Sequence, residues 1–225
     1  MSDDATSLGD FHGRARLFPL PNLVLFPHVV QPLHIFEDRY RQLMDDALKS
    51  DRLIGMALLR PGWEKAYQKT PPIYPMICLG KIHQEQRLPD GRWNLLLHGM
   101  ARAHVDNELK ADRLYRVAKV RLAPEEEVAS LHTARDLRRR LGLGVERWFV
   151  AQGAALDQLE KLLHSDLTLG ALCDVFSFAL PLAVDLKQRL LEDADVEERA
   201  RRLVAHLDAN AAPPVRKFPP DFSAN

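Results

Sequence analysis

The residues that could do chemistry come first. Nine histidines and two cysteines invite a metal hypothesis. Zinc sites need two or more soft ligands brought close by short spacing, such as His-Glu-x-x-His or paired Cys-x-x-Cys. Neither pattern occurs. His28 and His34 have five residues between them, as do His98 and His104, and Cys78 and Cys173 lie far apart in apolar runs. The reading is no metal, no cofactor and two buried free thiols. Nucleotide chemistry needs a glycine-rich loop ending in Gly-Lys-Ser/Thr. The one Gly-Lys pair, Gly80-Lys81, is followed by Ile82, so no P-loop is present. Nucleophilic catalysis by serine calls for a Gly-x-Ser-x-Gly elbow. Ser177 sits instead between Phe176 and Phe178 and reads as a packed core residue. Arg138-Arg139-Arg140, next to Asp136 and Glu146, reads as a solvated helix face. No catalytic residue is assigned.

Composition supports that exclusion. The chain has 225 residues, 31 basic and 31 acidic side chains, and a formal net charge of +0. A general nucleic-acid binder carries excess cation to displace counterions from phosphate. With 46% hydrophobic residues, the chain is also too apolar to be disordered as a whole. The first ten residues carry Asp3, Asp4 and Asp10 and no basic residue, unlike a secretory signal. No apolar run approaches the roughly 20 residues of a spanning helix. The expectation is a soluble, cytoplasmic protein with no membrane partner.

The elements that must position any site change character near Pro124. Before it, short apolar segments are bounded by proline and glycine and read as strands: 17–20, 29–35, 53–59, 76–83, 93–98, 101–109 and 115–122. Pro89-Asp90-Gly91 marks a hairpin. One helix interrupts them, with Tyr40, Leu43, Met44 and Ala47 on one face. Glu37 stands at its start as a cap, with Arg39 pairing locally. After Pro124 the period is helical. Leu137, Leu141, Val145, Trp148 and Phe149 line one long segment, with a kink or break expected at Gly142 and Gly144. A segment from Ala155 to Leu163 follows. Thr168 caps a helix that Pro181 ends, and Asp195 with Glu198 forms a capping box for the last helix. The expected division is a disordered 1–13, a β domain over 14–124, a helical bundle over 125–209 and a Pro-rich disordered tail over 210–225.

The stretch from Leu17 to Tyr40, LFPLPNLVLFPHVVQPLHIFEDRY, interleaves Pro19, Pro21, Pro27 and Pro32 with large apolar residues. It cannot be a helix, and its prolines restrict it to edges and turns. A rigid apolar edge suits a core wall or an extended peptide. With its motifs Phe18-Pro19-Leu20, Val24-Leu25-Phe26-Pro27, Pro32-Leu33-His34-Ile35-Phe36-Glu37 and Arg39-Tyr40, the stretch resembles the N-terminal (LON) domain of Lon proteases. Leu79-Gly80, Gly99 and Arg102, and later Leu180-Pro181-Leu182, extend the resemblance over about residues 14 to 209. It implies an α+β fold: a PUA-like β-rich pseudo-barrel followed by a helical bundle.

The resemblance also implies that Phe18, Pro19, Pro32, Phe36, Glu37, Arg39, Tyr40, Gly80, Gly99 and Arg102 are family-motif residues with a structural role. Full-length Lon proteases continue into an ATPase module and a Ser-Lys protease domain, and neither is expected here. The functional expectation is a non-catalytic module that binds unfolded or extended polypeptides, an adaptor in protein quality control, with a protease or chaperone as a candidate partner. Its expected contacts are Phe26 and Pro27 on the proline-rich edge, and Trp63 and Tyr67 on the long 60–75 loop. The alternative is an RNA- or small-ligand-binding module, since PUA-like folds can bind RNA.

Overall fold

A computed structural model of the chain describes residues 8, 11–66, 70–149 and 161–210. Of the sequence expectations, those for Tyr67, the side chain of Phe149, residues 155–160, most of the N-terminal 1–13 and the tail beyond Asn210 lie outside the described residues or side chains.

Six strands form one mixed sheet: β1 (Arg14–Leu20), β2 (Val30–Ile35), β3 (Leu53–Leu58), β4 (Met76–Arg87), β5 (Trp93–Leu109) and β6 (Arg116–Leu122). The order is β2-β5-β4-β3-β1-β6, and β6 also pairs with β5. That extra pairing closes five strands into a ring and leaves β2 attached outside it. The ring is antiparallel except for β1 and β3, which run parallel with Leu17 opposite Gly55. Closure is possible because β5 is long enough to serve two neighbours along one edge while β4 takes the other. Its first half pairs with β2, and its second half pairs with β6 from Ala103 to Leu109.

The ring encloses a small core of its own: Ala15, Leu17, Ala57, Ile77, Leu79, Ala103, Ala118 and Val120. Each of the five ring strands contributes, and β2 contributes none. Four of the eight are alanines, because inward side chains of a narrow barrel meet at its axis and leave room for only a few large ones. Gly55 shows how tight it is, since a Cβ there would lie 2.9 Å from the Ile77 side chain.

The opposite faces of the same strands carry larger residues, among them Phe18, Ile54, Met56 and Leu58. They pack on α1 (Asp38–Leu48), which buries Tyr40, Leu43, Met44 and Ala47 as its periodicity predicts. The same hydrophobic cluster continues into the helices: α2 (Leu131–Phe149), α3 (Leu169–Ala179), α4 (Val184–Glu192) and α5 (Val196–Ala209). The strand and helix halves therefore share one continuous core. α4 seats on β4, where the Gln188 side-chain amide donates to the Met76 carbonyl at 3.1 Å.

Several local expectations hold. The Thr168 hydroxyl accepts from the Ala171 amide, and the Asp195 carboxylate accepts from the amides of Glu197 and Glu198, which is the N-cap half of the expected capping box. Gly91 takes φ +83° in the β4–β5 hairpin. Others are corrected. β5 runs unbroken through Gly99 and Met100, where the sequence suggested two strands. α2 runs unbroken through Gly142 and Gly144. A Cβ at Gly144 would lie 3.0 Å from Leu207 of α5, so this glycine admits a neighbouring helix rather than ending its own. The 60–75 loop contains a short 3₁₀ turn, Trp63–Ala66, and its base is tied by Arg60 donating from its backbone to Pro72 and from its side chain to Ile73. Among the described residues, no helix is long and apolar enough to cross a membrane.

Candidate functional site

The proline-rich stretch divides into a buried part and an exposed part. Residues 24–29 cross over β5 at Gly99: the His28 amide donates to the Gly99 carbonyl at 2.9 Å, and the Gly99 amide donates to Val29 at 2.8 Å. A Cβ at Gly99 would fall 1.9 Å from the Phe26 carbonyl oxygen, so only glycine admits this crossing. His28 takes φ +65° to make the turn. Phe26 is fully buried beneath it, and Pro27 is buried as well. This corrects the expectation that Phe26 and Pro27 form an exposed binding edge. A large apolar side chain reads alike whether it faces the core or a partner, and the crossing turns this one inward.

Beyond the crossing, β2 turns its even-numbered residues outward. Val30, Pro32, His34 and Phe36 form a row at period two, with Val30 47% and Phe36 62% exposed. Leu33 and Ile35, on the other parity, turn toward the core. Opposite the row on β5 stand Leu96 and Asn94, and beyond them on β4 stand Gln84 and Gln86. Pro32, His34, Asn94, Leu96, Gln84 and Gln86 line a shallow groove of about 520 Å³, which Val30 and Phe36 do not line. His34 is held by Asn94 Oδ1, 2.7 Å from its Nδ1, with Arg92 Nη1 3.4 Å from its Nε2. An imidazole that donates to the amide oxygen and accepts from the guanidinium satisfies both contacts. Its ring stacks on Phe36 with centroids 6.2 Å apart. The backbone edge of β2 is blunted, because Pro32 has no N–H and its carbonyl takes the Gln31 side chain at 2.6 Å. The groove face, rather than strand addition at the edge, is the accessible surface.

Other motif residues build the frame. The Phe18 and Tyr40 rings meet edge to face at 4.1 Å, and the Tyr40 hydroxyl donates to the Pro19 carbonyl at 3.4 Å. Glu37 occupies the N-cap position of α1 but makes no capping hydrogen bond with its side chain; its carboxylate accepts from Arg39 Nε at 2.9 Å instead. Gly80 faces Leu97, with room for no side chain.

Arg102 joins the two halves. It is 1% exposed and donates to both oxygens of Asp174 on α3, at 2.5 and 3.0 Å, to Glu125, and to the Leu191 carbonyl at 3.0 Å. Arg199 of α5, also fully buried, donates to Glu125 at 2.6 Å. Burial pushes the Asp174 carboxyl above its ordinary range, and the Arg102 guanidinium opposes that shift. Asp174, Glu125 and Arg199 were not singled out as site residues in the sequence. The available signal was Asp174 itself, a charge inside an apolar helical run that must find a cation when buried.

The two cysteines are buried, and burial pushes the Cys173 thiol up to about 12, which leaves it inert as a nucleophile. Ser177 is fully buried in α3. Of the arginine triplet, Arg138 is not on a solvated face; it donates to the carbonyls of Leu163, Ser165 and Leu167. Among the described residues, no group of three or more His, Cys, Asp or Glu is arranged to hold a metal ion. Trp63 is half-buried on its 3₁₀ turn.

A family model for the ATP-dependent protease La (LON) substrate-binding domain matches residues 14–209. The chain belongs to that family. This LON domain is 28% identical over 196 residues to a Lon protease of Dictyoglomus thermophilum, covering 85% of this chain and 24% of that protein. It is 28% identical to Lon protease 2 of Herpetosiphon aurantiacus, covering 90% of this chain and 25% of that protein. The chain thus spans about a quarter of the length of these curated relatives. Among solved structures, the N-terminal domain of a Mycobacterium avium complex Lon protease superposes with a TM-score of 0.68 at 21% identity, covering 87% of this chain and 98% of that one. A Lon N-terminal domain protein from Xanthomonas campestris gives 0.59 at 23% identity, covering 85% and 97%. These likenesses establish the α+β fold.

Proposed function

We propose that this LON domain is a polypeptide-recognition module that binds an extended or unfolded segment across the outward face of β2, β5 and β4, as a non-catalytic adaptor. The observation that carries the reading is the row Val30, Pro32, His34 and Phe36 beside the side-chain amides of Asn94, Gln84 and Gln86. Apolar and aromatic side chains offer contact area to a partner's side chains, while amides can both donate to and accept from its peptide groups. The row stands on a hydrogen-bonded sheet, so little ordering entropy is lost on binding. The family description, a substrate-binding domain, supports the same reading. Trp63 belongs to the proposal as a second anchor on the 60–75 loop.

The test is fluorescence anisotropy with a reduced, carboxymethylated model protein as the unfolded probe. Binding is expected in the micromolar range, about −8 kcal/mol. Phe36→Ala is expected to weaken it by about 2 kcal/mol, as a hot-spot ring does, with the unfolding midpoint unchanged because the ring is exposed. Affinity that is indifferent to Phe36, or binding to RNA that collapses steeply with salt, overturns the reading. The same preparation is expected to hydrolyse no ATP and cleave no polypeptide.

A further inference from the structure

A second pocket lies away from the β2 face, where the end of β1, the start of α1 and the turn before β6 meet. It holds about 220 Å³, room for about seven waters at the liquid's share of volume. Its apolar surfaces include Tyr40 and Leu59, both nearly fully buried. Three arginines, Arg39, Arg113 and Arg116, line the same pocket, and among the described residues no Asp or Glu does. Each is paired with an acid that is not among the lining residues. Arg113 Nε lies 3.0 Å from Asp46, and the Tyr115 hydroxyl donates to that same carboxylate at 2.8 Å. Arg116 Nε donates to Glu108 at 2.7 Å, and its Nη1 donates to the Pro71 carbonyl at 2.9 Å. Arg39 is paired with Glu37 and lies 4.6 Å over the Tyr40 ring.

We infer that this pocket receives the C-terminal residue of another polypeptide, its carboxylate at the guanidiniums and its apolar side chain against Tyr40 and Leu59. The pocket is too small for a chain to pass through but large enough for one terminal residue. A phosphate ion would satisfy the arginines and leave the apolar surface empty, while an internal apolar residue would leave the arginines unused. Guanidiniums already fixed by acids lose little freedom on meeting a carboxylate, and a hydrogen bond between two ionised groups is about twice as strong as one between neutral groups. Because each cation has its own acid, the long-range field is weak, so recognition depends on contact geometry. The site stands independently of the β2 face.

The experiment uses the full chain and two fluorescein-labelled peptides, Ser-Ala-Leu-Leu with a free carboxylate and the same peptide as its carboxamide. The free acid is expected to bind at least tenfold more tightly. Arg113→Gln, at a half-exposed side chain, is expected to erase that difference with the fold intact by circular dichroism. Tyr40→Leu, which keeps an apolar surface, is the second variant and is expected to lower affinity for both peptides. Phe36→Ala is expected to leave the preference unchanged, which separates this site from the proposed one. Equal binding of acid and amide overturns the inference, as does the absence of binding by either. Displacement of the free acid by equimolar inorganic phosphate also overturns it and identifies a free anion as the ligand.

Discussion

Arg102→Met should cost this protein about 3–4 kcal/mol of stability, which is the lower half of the range for breaking a buried pair from one side. The magnitude follows from what the guanidinium leaves behind. Asp174 is 0% exposed and loses both of its hydrogen bonds from Arg102. The Leu191 carbonyl loses its donor as well. Two features keep the loss from the top of the range. Arg199 Nε lies 3.5 Å from Asp174 and retains part of the attraction, and Glu125, with a side chain 24% exposed, can turn to water.

Restoring the balance should recover much of that loss. Arg102→Met with Asp174→Leu removes both charges and leaves Arg199 paired to Glu125. Apolar replacement of a whole buried pair is often close to neutral, so the double variant should lie within about 1–2 kcal/mol of the parent. Urea unfolding followed by far-UV circular dichroism gives each value by linear extrapolation. The cycle should show a coupling of about 2 kcal/mol or more. The single variant should also lose stability as pH rises above the unfolded carboxyl's value of about 4. Its buried Asp174, with no Arg102, holds a proton more tightly folded than unfolded, so the folded state binds more protons over that window. A single-variant loss under 1 kcal/mol, or a double-variant loss equal to the sum of the singles, would refute the account of the joint.

Two further outcomes follow from the frame. Gly99→Ala should destabilise by about 3 kcal/mol or more, since a methyl 1.9 Å from the Phe26 carbonyl must lift residues 24–29 off β5; a shift in thermal midpoint measures it, and a tolerated alanine would mean the crossing is loose. Burial brings Lys187 down to about 8 from 10.5, while its ammonium donates to the Phe178 carbonyl at 2.5 Å. Between those values the unfolded chain binds more protons, so stability should rise with pH from about 8 to about 10.5, by about 1–2 kcal/mol after allowance for solvent around the group. Lys187→Met should flatten that slope relative to the parent, and identical pH profiles would contradict it.

How much of this was legible in the sequence depended on whether the signal was local. Thr168, Asp195 and Gly91 act on their own neighbours, and the sequence locates each of them. The apolar face of α1 and the strand segments were also readable, because periodicity and turn residues are short-range. Glycine was misread when its reason was distant. Gly99 looked like a boundary and is a crossing point; Gly142 and Gly144 looked like breaks and lie where Leu163 and Leu207 approach the helix. Phe26 and Phe36 are the same residue ten positions apart in one proline-rich run, yet one is 0% exposed and the other 62%. Parity could have separated Phe36 from its neighbours, because Val30, Pro32, His34 and Phe36 alternate with Leu33 and Ile35. Nothing local could have sent Phe26 inward, since the segment that covers it is held by β5, some seventy residues away in the chain.

This division bears on what family membership says about function. Most of the motif residues that carry the resemblance are spent on the frame. Phe18, Pro19 and Tyr40 lock β1 to α1, Gly99 admits the crossing segment, and Arg102 ties the ring to the helices. Pro32, His34 and Phe36 are the exceptions, motif residues that face solvent. The fold therefore needs Phe26 buried but places no comparable demand on the Phe36 ring. In the proposed role, the outward positions of β2 and the amides beside them select the partner. The frame only holds them rigid and in register, and substitutions at those positions can change what is bound while leaving the buried crossing and the ionic joint intact.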